Sequence, residues 1–222
     1  MSDCLEKKPG GITAVVIRSY GVSLQDRDLN RQVRGVAGLE KSITIAGSGG
    51  QGILLLGRLI AHTLMIEGKN VTYFPSYGAE IRGGTANCTV VVSDDLIGSP
   101  AVMNPDILIV FNCQSLERFL SRLKGGGILF YDSSLITDDG CGRLSMLDES
   151  SDFHSFGVEA SGKAAGLGSI KYANMVMFGA FLGKTVISDL SRAEKALRAL
   201  LSERHLAHIP GNIKAIKVGY EL

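Results

Sequence analysis

The chain has 222 residues, 45% of them hydrophobic and 20% charged, with 23 Lys and Arg against 22 Asp and Glu for a formal net charge of +1. That length and apolar content suit a single α/β domain with one sizeable core. Near-neutral charge without basic clusters argues against nucleic acid or a membrane surface as partner, because both attractions need concentrated positive charge.

Residues 1–40 are mixed in charge and show no clear period beyond a short β-like run, Ile12 to Ile17. They are expected to be a poorly ordered N-terminal arm, with an extra strand or an extension from a misread start as the alternatives; residues 41–222 are expected to be the domain. No secretory signal is read at the N-terminus. Ile53 to Ile66 is interrupted by Arg58 and His62, so no apolar run reaches the length of a membrane span, and a cytoplasmic location is expected.

The apolar run Ile43-Thr44-Ile45-Ala46 leads into Gly47-Ser48-Gly49-Gly50-Gln51-Gly52 and then Ile53-Leu54-Leu55-Leu56. Alternation, a knot of glycines and apolar residues at helical spacing read as strand, tight turn and helix. Backbone N–H groups and the positive end of a helix there favour a phosphate or carboxylate. Gly47, Gly49 and Gly52 satisfy G-x-G-x-x-G. The other reading is that these glycines only close the turn and let helix pack on strand.

A dinucleotide unit of this kind ends its second strand in Asp or Glu, about 20 residues beyond the glycines, to hold the ribose. The expected second strand, Asn70 to Phe74, runs instead into Pro75-Ser76-Tyr77. Glu67 lies near the offset, but Gly68 follows it, which puts Glu67 in the last turn of the helix, facing water. No G-x-x-x-x-G-K-[ST] loop is present.

Further strands are predicted at Ala86 to Val92, Asp106 to Phe111 and Ile128 to Tyr131, and a helix at Gln114 to Leu123 before Gly125-Gly126-Gly127. Asp138 to Ser155 reads as a loop or short hairpin, with a last strand near Phe156-Gly157-Val158. Asn174 to Gly183 reads as a helix, with Gly179 at a close contact. Ser191 and Glu194 form a capping box for a helix to about Arg204, and Asn212 to Val218 is a last short helix. Alternating strands and helices predict a Rossmann-like, doubly wound, mostly parallel sheet with helices on both faces.

Ser76 to Gly84 is a second candidate loop, containing Ser76, Tyr77, Arg82 and Gly83. It follows the second strand, so it is expected at the same carboxyl edge as the first loop, where open α/β sheets bind ligands. Arg82 suits bidentate pairing with a phosphate or carboxylate; pairing with Glu80 or with a neighbouring subunit is the alternative. Cys4, Cys88, Cys113 and Cys141 form no C-x-x-C pair, which argues against a cluster or structural zinc held by this chain alone. Free thiols in a reducing cytoplasm are the simplest account, with Cys88 and Cys113 read as small buried apolar residues. His62 is expected to be exposed or capping, His205 and His208 to complement a helix end, and Asp132 to form a turn. No nucleophile with a base, paired carboxylates or cofactor lysine motif is read, so the chain is poorly equipped to catalyse alone.

The glycine loop, together with Phe74-Pro75-Ser76-Tyr77-Gly78-Ala79-Glu80-Ile81-Arg82-Gly83-Gly84-Thr85-Ala86-Asn87-Cys88, resembles the gamma subunit of 2-oxoacid:ferredoxin oxidoreductases. Asn174 to Ala180 and Asn212 to Tyr220 resemble that family's closing segments, and the likeness runs from about Lys41 to Leu222. It implies an accessory, Rossmann-like chain beside alpha and beta subunits that hold thiamine diphosphate and Mg. Iron–sulfur clusters are then carried by the beta subunit or a ferredoxin-like delta chain, with that delta chain or ferredoxin as the further partner. It also implies that Gly47, Gly49, Gly50, Gln51, Gly52, Ser76, Tyr77, Arg82 and Gly83 contact coenzyme A or neighbouring subunits. Ser76 to Cys88 look most like 2-oxoglutarate enzymes, with branched-chain and pyruvate enzymes behind. A free-standing dinucleotide-dependent oxidoreductase and an interaction module with an empty loop are the competing readings.

Overall fold

The computed structural model describes residues 15–17, 40–76, 85–141, 152–201 and 203–222. Strand β1 is Val15–Ile17 and strand β2 is Lys41–Ser48. Side chains alternate along β2, so Ile43 and Ile45 enter one hydrophobic cluster while Ala46 enters another on the opposite face. Both faces are covered, which is why β2 is buried from Ser42 to Gly47.

β3 (Asn70–Ser76), β4 (Thr85–Ser93), β5 (Ile107–Val110), β6 (Gly127–Asp132) and β7 (Phe153–Val158) complete a sheet of order β1-β3-β4-β2-β5-β6-β7 among the described residues. β2, β5, β6 and β7 pair in parallel. β4 is antiparallel to both β2 and β3, and β3 to β1. All strands but β1 and β4 therefore run one way, as a mostly parallel sheet requires, although half of the ladders are antiparallel. Residues 77–84, between β3 and β4, are too few for a crossover connection, so β4 returns beside β3 in the reverse direction. Val15–Ile17 of the β-like run form an edge strand, and the rest of the expected arm up to residue 39 lies outside the described residues.

On one face, α1 (Ile53–Ile66) buries Leu56, Leu59, Ile60 and Leu64 against β2, β3 and β4. The three-and-four spacing of those residues makes the stripe, and each fully buried side chain is worth about 1.5–3 kcal/mol. On the other face, α2 (Cys113–Phe119) places Leu116 and Phe119 against Leu108, Val110 and Leu129. A 3₁₀ turn, Leu120–Arg122, ends that segment short of the expected Leu123. After β6 comes the single turn α3 (Asp138–Cys141), and after β7 come α4 (Ala160–Gly166), α5 (Ala173–Thr185), α6 (Leu190–Leu200) and α7 (Ile209–Tyr220). The expected close contact at Gly179 is with α7. A Cβ there would strike the Ile216 carbonyl, and one at Gly219 would strike that of Val176. Phe130 joins sheet to helix, stacking on Phe156 at 5.3 Å and meeting Phe181 edge-on at 6.0 Å.

Several expectations are corrected. The cap of α6 is Asp189, whose carboxylate accepts from Arg192 N at 2.9 Å; Ser191 lies inside the helix, which ends at Leu200 rather than near Arg204. α4 has no apolar period and is not predicted; its alanines, glycines and serine leave no stripe to read. Glu67 does close α1 but does not face water. It accepts from Ser188 Oγ at 2.8 Å and pairs with Arg192 at 3.3 Å, tying α1 to α6. Cys113 and Cys141 are not free thiols. They are 28 residues apart, yet adjacent parallel strands β5 and β6 deliver them to one edge with Cα atoms 5.5 Å apart, joined as a disulfide.

Candidate functional site

Parallel β2, β5 and β6 all end at one edge of the sheet, and β3, running the same way, ends there too. Ser48 lies opposite Thr85 and Ser76 opposite Asn87, so the ends of β2 and β3 flank the first residues of β4. Two strand spacings, about 10 Å, separate those ends. Ser76 is half-buried at that edge. Tyr77, Arg82 and Gly83 lie outside the described residues.

The first loop is held from inside. The Gln51 side chain folds back: its Oε1 accepts from Ser48 N at 2.6 Å and its Nε2 donates to the Phe111 carbonyl at 3.4 Å. Gln51 N also donates to the Ser48 carbonyl at 3.2 Å. Gly47 is buried, and a Cβ there would sit 2.6 Å from both Gln51 Oε1 and Ile53 Cδ1, so both side chains would have to shift. Asn112 holds the outer corner. Its Nδ2 donates to Ser48 Oγ at 2.7 Å while its Oδ1 accepts from Ser115 N at 2.8 Å and caps α2. Neither Asn112 nor the bracing role of Gln51 is anticipated from the sequence, although Asn before a helical run is a start signal that marks Asn112.

Gly50 and Gly52 adopt φ of +92° and +73°, the left-handed region that favours glycine. Gly52 is the N-cap of α1 and no side chain caps the first turn. Its carbonyl accepts from Leu56 N at 2.9 Å and from Asn174 Nδ2 at 3.3 Å. Asn174, brought from α5 across 122 residues, is 3% exposed, and its Oδ1 has no hydrogen-bond partner among the described residues. Around Gly49 and Gly50, by contrast, a Cβ would meet nothing within 4 Å among the described residues, and both residues are exposed. An uncapped helix start beneath an open glycine pair can receive an anion.

The remaining candidates fall to structural roles. Cys88 is buried beneath Gly57 of α1; burial pushes its thiol up to about 12, against a smaller lowering from the Gly57 backbone, so it stays protonated at neutral pH. Asp132 is fully buried. One carboxylate oxygen accepts from Ser134 N at 3.1 Å and Ser161 N at 3.2 Å, the other from Ser161 N at 3.2 Å and Ser161 Oγ at 2.5 Å, pinning α4 to the end of β6. His62 is half-buried on α1, and His208 is the N-cap residue of α7. Glu67 sits at the far end of α1, unable to serve a ribose beside the glycines. A cavity of about 430 Å³ bordered by Ser42, Met103, Asp106 and Lys124 lies at the opposite, amino edge of β2 and β5, away from Gly47–Gly52. Among the described residues no helix is long and apolar enough to cross a membrane, and no group of three His, Cys, Asp or Glu is placed to hold a metal ion.

Residues 42–222 match the family model described as pyruvate ferredoxin/flavodoxin oxidoreductase. The 2-oxoglutarate synthase subunit KorC of Methanothermobacter marburgensis is 32% identical over 189 residues, which cover 83% of this chain and 97% of that protein. The ketoisovalerate oxidoreductase subunit VorA of Methanothermobacter thermautotrophicus is 35% identical over 184 residues, 82% of this chain; the chain spans only about a third, 36%, of that relative's length. Among solved structures, the gamma subunit of a keto/oxoacid ferredoxin oxidoreductase from Geobacter sulfurreducens superposes with a TM-score of 0.69 at 27% identity, covering 82% of this chain and 95% of that one.

Proposed function

The chain belongs to the pyruvate ferredoxin/flavodoxin oxidoreductase family, and from that premise we propose that it is the gamma-type subunit of a 2-oxoacid:ferredoxin oxidoreductase, with 2-oxoglutarate as the favoured substrate. The assembled enzyme would convert a 2-oxo acid and coenzyme A to acyl-coenzyme A and carbon dioxide while two electrons pass to ferredoxin. Thiamine diphosphate, Mg and iron–sulfur clusters belong in this proposal to partner chains, alpha and beta subunits and a ferredoxin-like delta subunit or ferredoxin, in the cytoplasm. The observation that carries this reading is the likeness to KorC over 97% of that protein and 83% of this chain, within which the Gly47–Gly52 loop falls.

The part assigned to this chain is binding. Gly49 and Gly50 offer an approachable backbone above the uncapped start of α1, which suits a coenzyme A phosphate. Gly47, Gln51 and Gly52 keep that backbone in place from beneath. Ser76, Tyr77, Arg82 and Gly83 are assigned to the same ligand, with Arg82 as the permanently charged cation. The test is Arg82→Ala in the reconstituted complex. A charged hydrogen bond is worth about 1.5–3 kcal/mol, so the KM for coenzyme A is expected to rise on the order of tenfold or more. An unchanged KM with weakened assembly moves Arg82 to a subunit interface. Recovery of the chain from its host free of any thiamine-enzyme subunit would remove the reading altogether.

A further inference from the structure

The Cys113–Cys141 bond stands one and two residues from the groups that hold the glycine loop. Asn112 donates to Ser48 Oγ at 2.7 Å and Phe111 accepts from Gln51 Nε2 at 3.4 Å; Cys113 follows as the first residue of α2. Cys141 closes α3, buried in the same cluster as Leu116 and Phe119. The bond therefore fastens the connections after β5 and β6 to each other, and Asn112 passes that restraint to the connection after β2. α2 has seven residues, too few to hold its shape without tertiary support.

We infer that Cys113 and Cys141 are a reversible thiol–disulfide site that sets the rigidity of the Gly47–Gly52 loop. Disulfides formed inside reducing cells are mostly transient or redox-sensing, and the geometry makes exchange workable. Cys113 is half-buried and Cys141 is buried, so an outside thiol meets the Cys113 sulfur first. In reduction, the thiolate of a dithiol attacks Cys113 Sγ, the Cys113–Cys141 bond breaks and Cys141 leaves as thiolate to take up a proton. The second thiol of the reductant then resolves the mixed disulfide, releasing the Cys113 thiol and a cyclic disulfide. Two electrons pass from reductant to protein. Oxidation by a low-molecular-weight disulfide is the reverse, with two thiols released. Once the bond is open, α2 keeps its Asn112 cap but loses its tie to α3, and the anchor on Ser48 loosens. The consequence for affinity rests on the coenzyme A reading proposed above.

The test uses the assembled complex treated either with oxidised glutathione or with dithiothreitol. Alkylation and mass spectrometry should find Cys113 and Cys141 protected in the first state and labelled in the second. Hydrogen exchange over residues 47–56 should be about fivefold or more faster in the reduced state, the factor given by one ordinary hydrogen bond lost, while α6 is unchanged. Cys113→Ser should exchange like the reduced protein under both treatments, which separates the loop effect from reduction of clusters elsewhere. Equal loop exchange in the two states, or both thiols still labelled after oxidation, overturns the inference. Faster exchange on reduction with an unchanged KM for coenzyme A upholds the coupling and removes the coenzyme A reading of the loop instead.

Discussion

Substituting alanine in turn at Gly49, Gly50 and Gly52 separates what the fold needs from what a ligand needs. At Gly52 the backbone is left-handed, φ +73°, and a Cβ would run into the Asn174 amide. Placing a non-glycine residue there costs about 1–2 kcal/mol. Displacing Asn174 from the Gly52 carbonyl, which it now meets at 3.3 Å, adds about 0.5–1.5 kcal/mol. Gly52→Ala should therefore destabilise by about 1.5–3.5 kcal/mol. Gly50 shares the left-handed backbone but has open space, so Gly50→Ala should cost only the first part, about 1–2 kcal/mol. Gly49 has neither constraint, and Gly49→Ala should leave stability within about 0.5 kcal/mol of the parent. Urea unfolding of each chain, compared by midpoint at constant slope, reads the series. A Gly52→Ala chain as stable as Gly49→Ala would refute the account of the loop. Because Gly49→Ala spares the fold, a rise in the coenzyme A KM for that variant alone would report a ligand at the open glycines.

Asp132→Asn should be costly even though the shapes match, since an amide turns one of two accepting oxygens into a donor facing N–H and O–H groups of Ser161 or Ser134. A loss of about 2–4 kcal/mol is expected from denaturant unfolding, and a loss below about 0.5 kcal/mol would show that the carboxylate does not hold α4. Asp106 gives a pH-dependent test. Burial raises its pKa, but hydrogen bonds from Ser42 and Lys124 and the Lys124 charge outweigh that and leave it below the ordinary 3.8. A depressed folded value means that the stabilisation is complete above the unfolded value of about 3.9 and is lost as pH falls through the lower folded value. The stability gap between the parent and Asp106→Asn should be level at neutral pH and narrow once the pH drops below about 4. A gap that stays constant or widens in acid would contradict the assignment.

Short-range pattern was enough to define the local units. Alternation in Ile43 to Ala46, the glycines after it and the three-and-four spacing of Leu56, Leu59, Ile60 and Leu64 each depend on neighbours a few residues away, so strand, turn and helix were legible in order. The motif likeness carried the family for the same reason, since it is written in contiguous residues. What the tertiary structure alone decided is which strand ends become neighbours. That choice joins Cys113 to Cys141, brings Asn174 under Gly52 and Ser188 over Glu67, and lets Ser161 reach Asp132. None of these partners shares a sequence period with the other. Side chains far apart along the chain meet only because the sheet order β4-β2-β5-β6 is fixed by burial of both faces at once, a property of the whole core that no short window of residues contains.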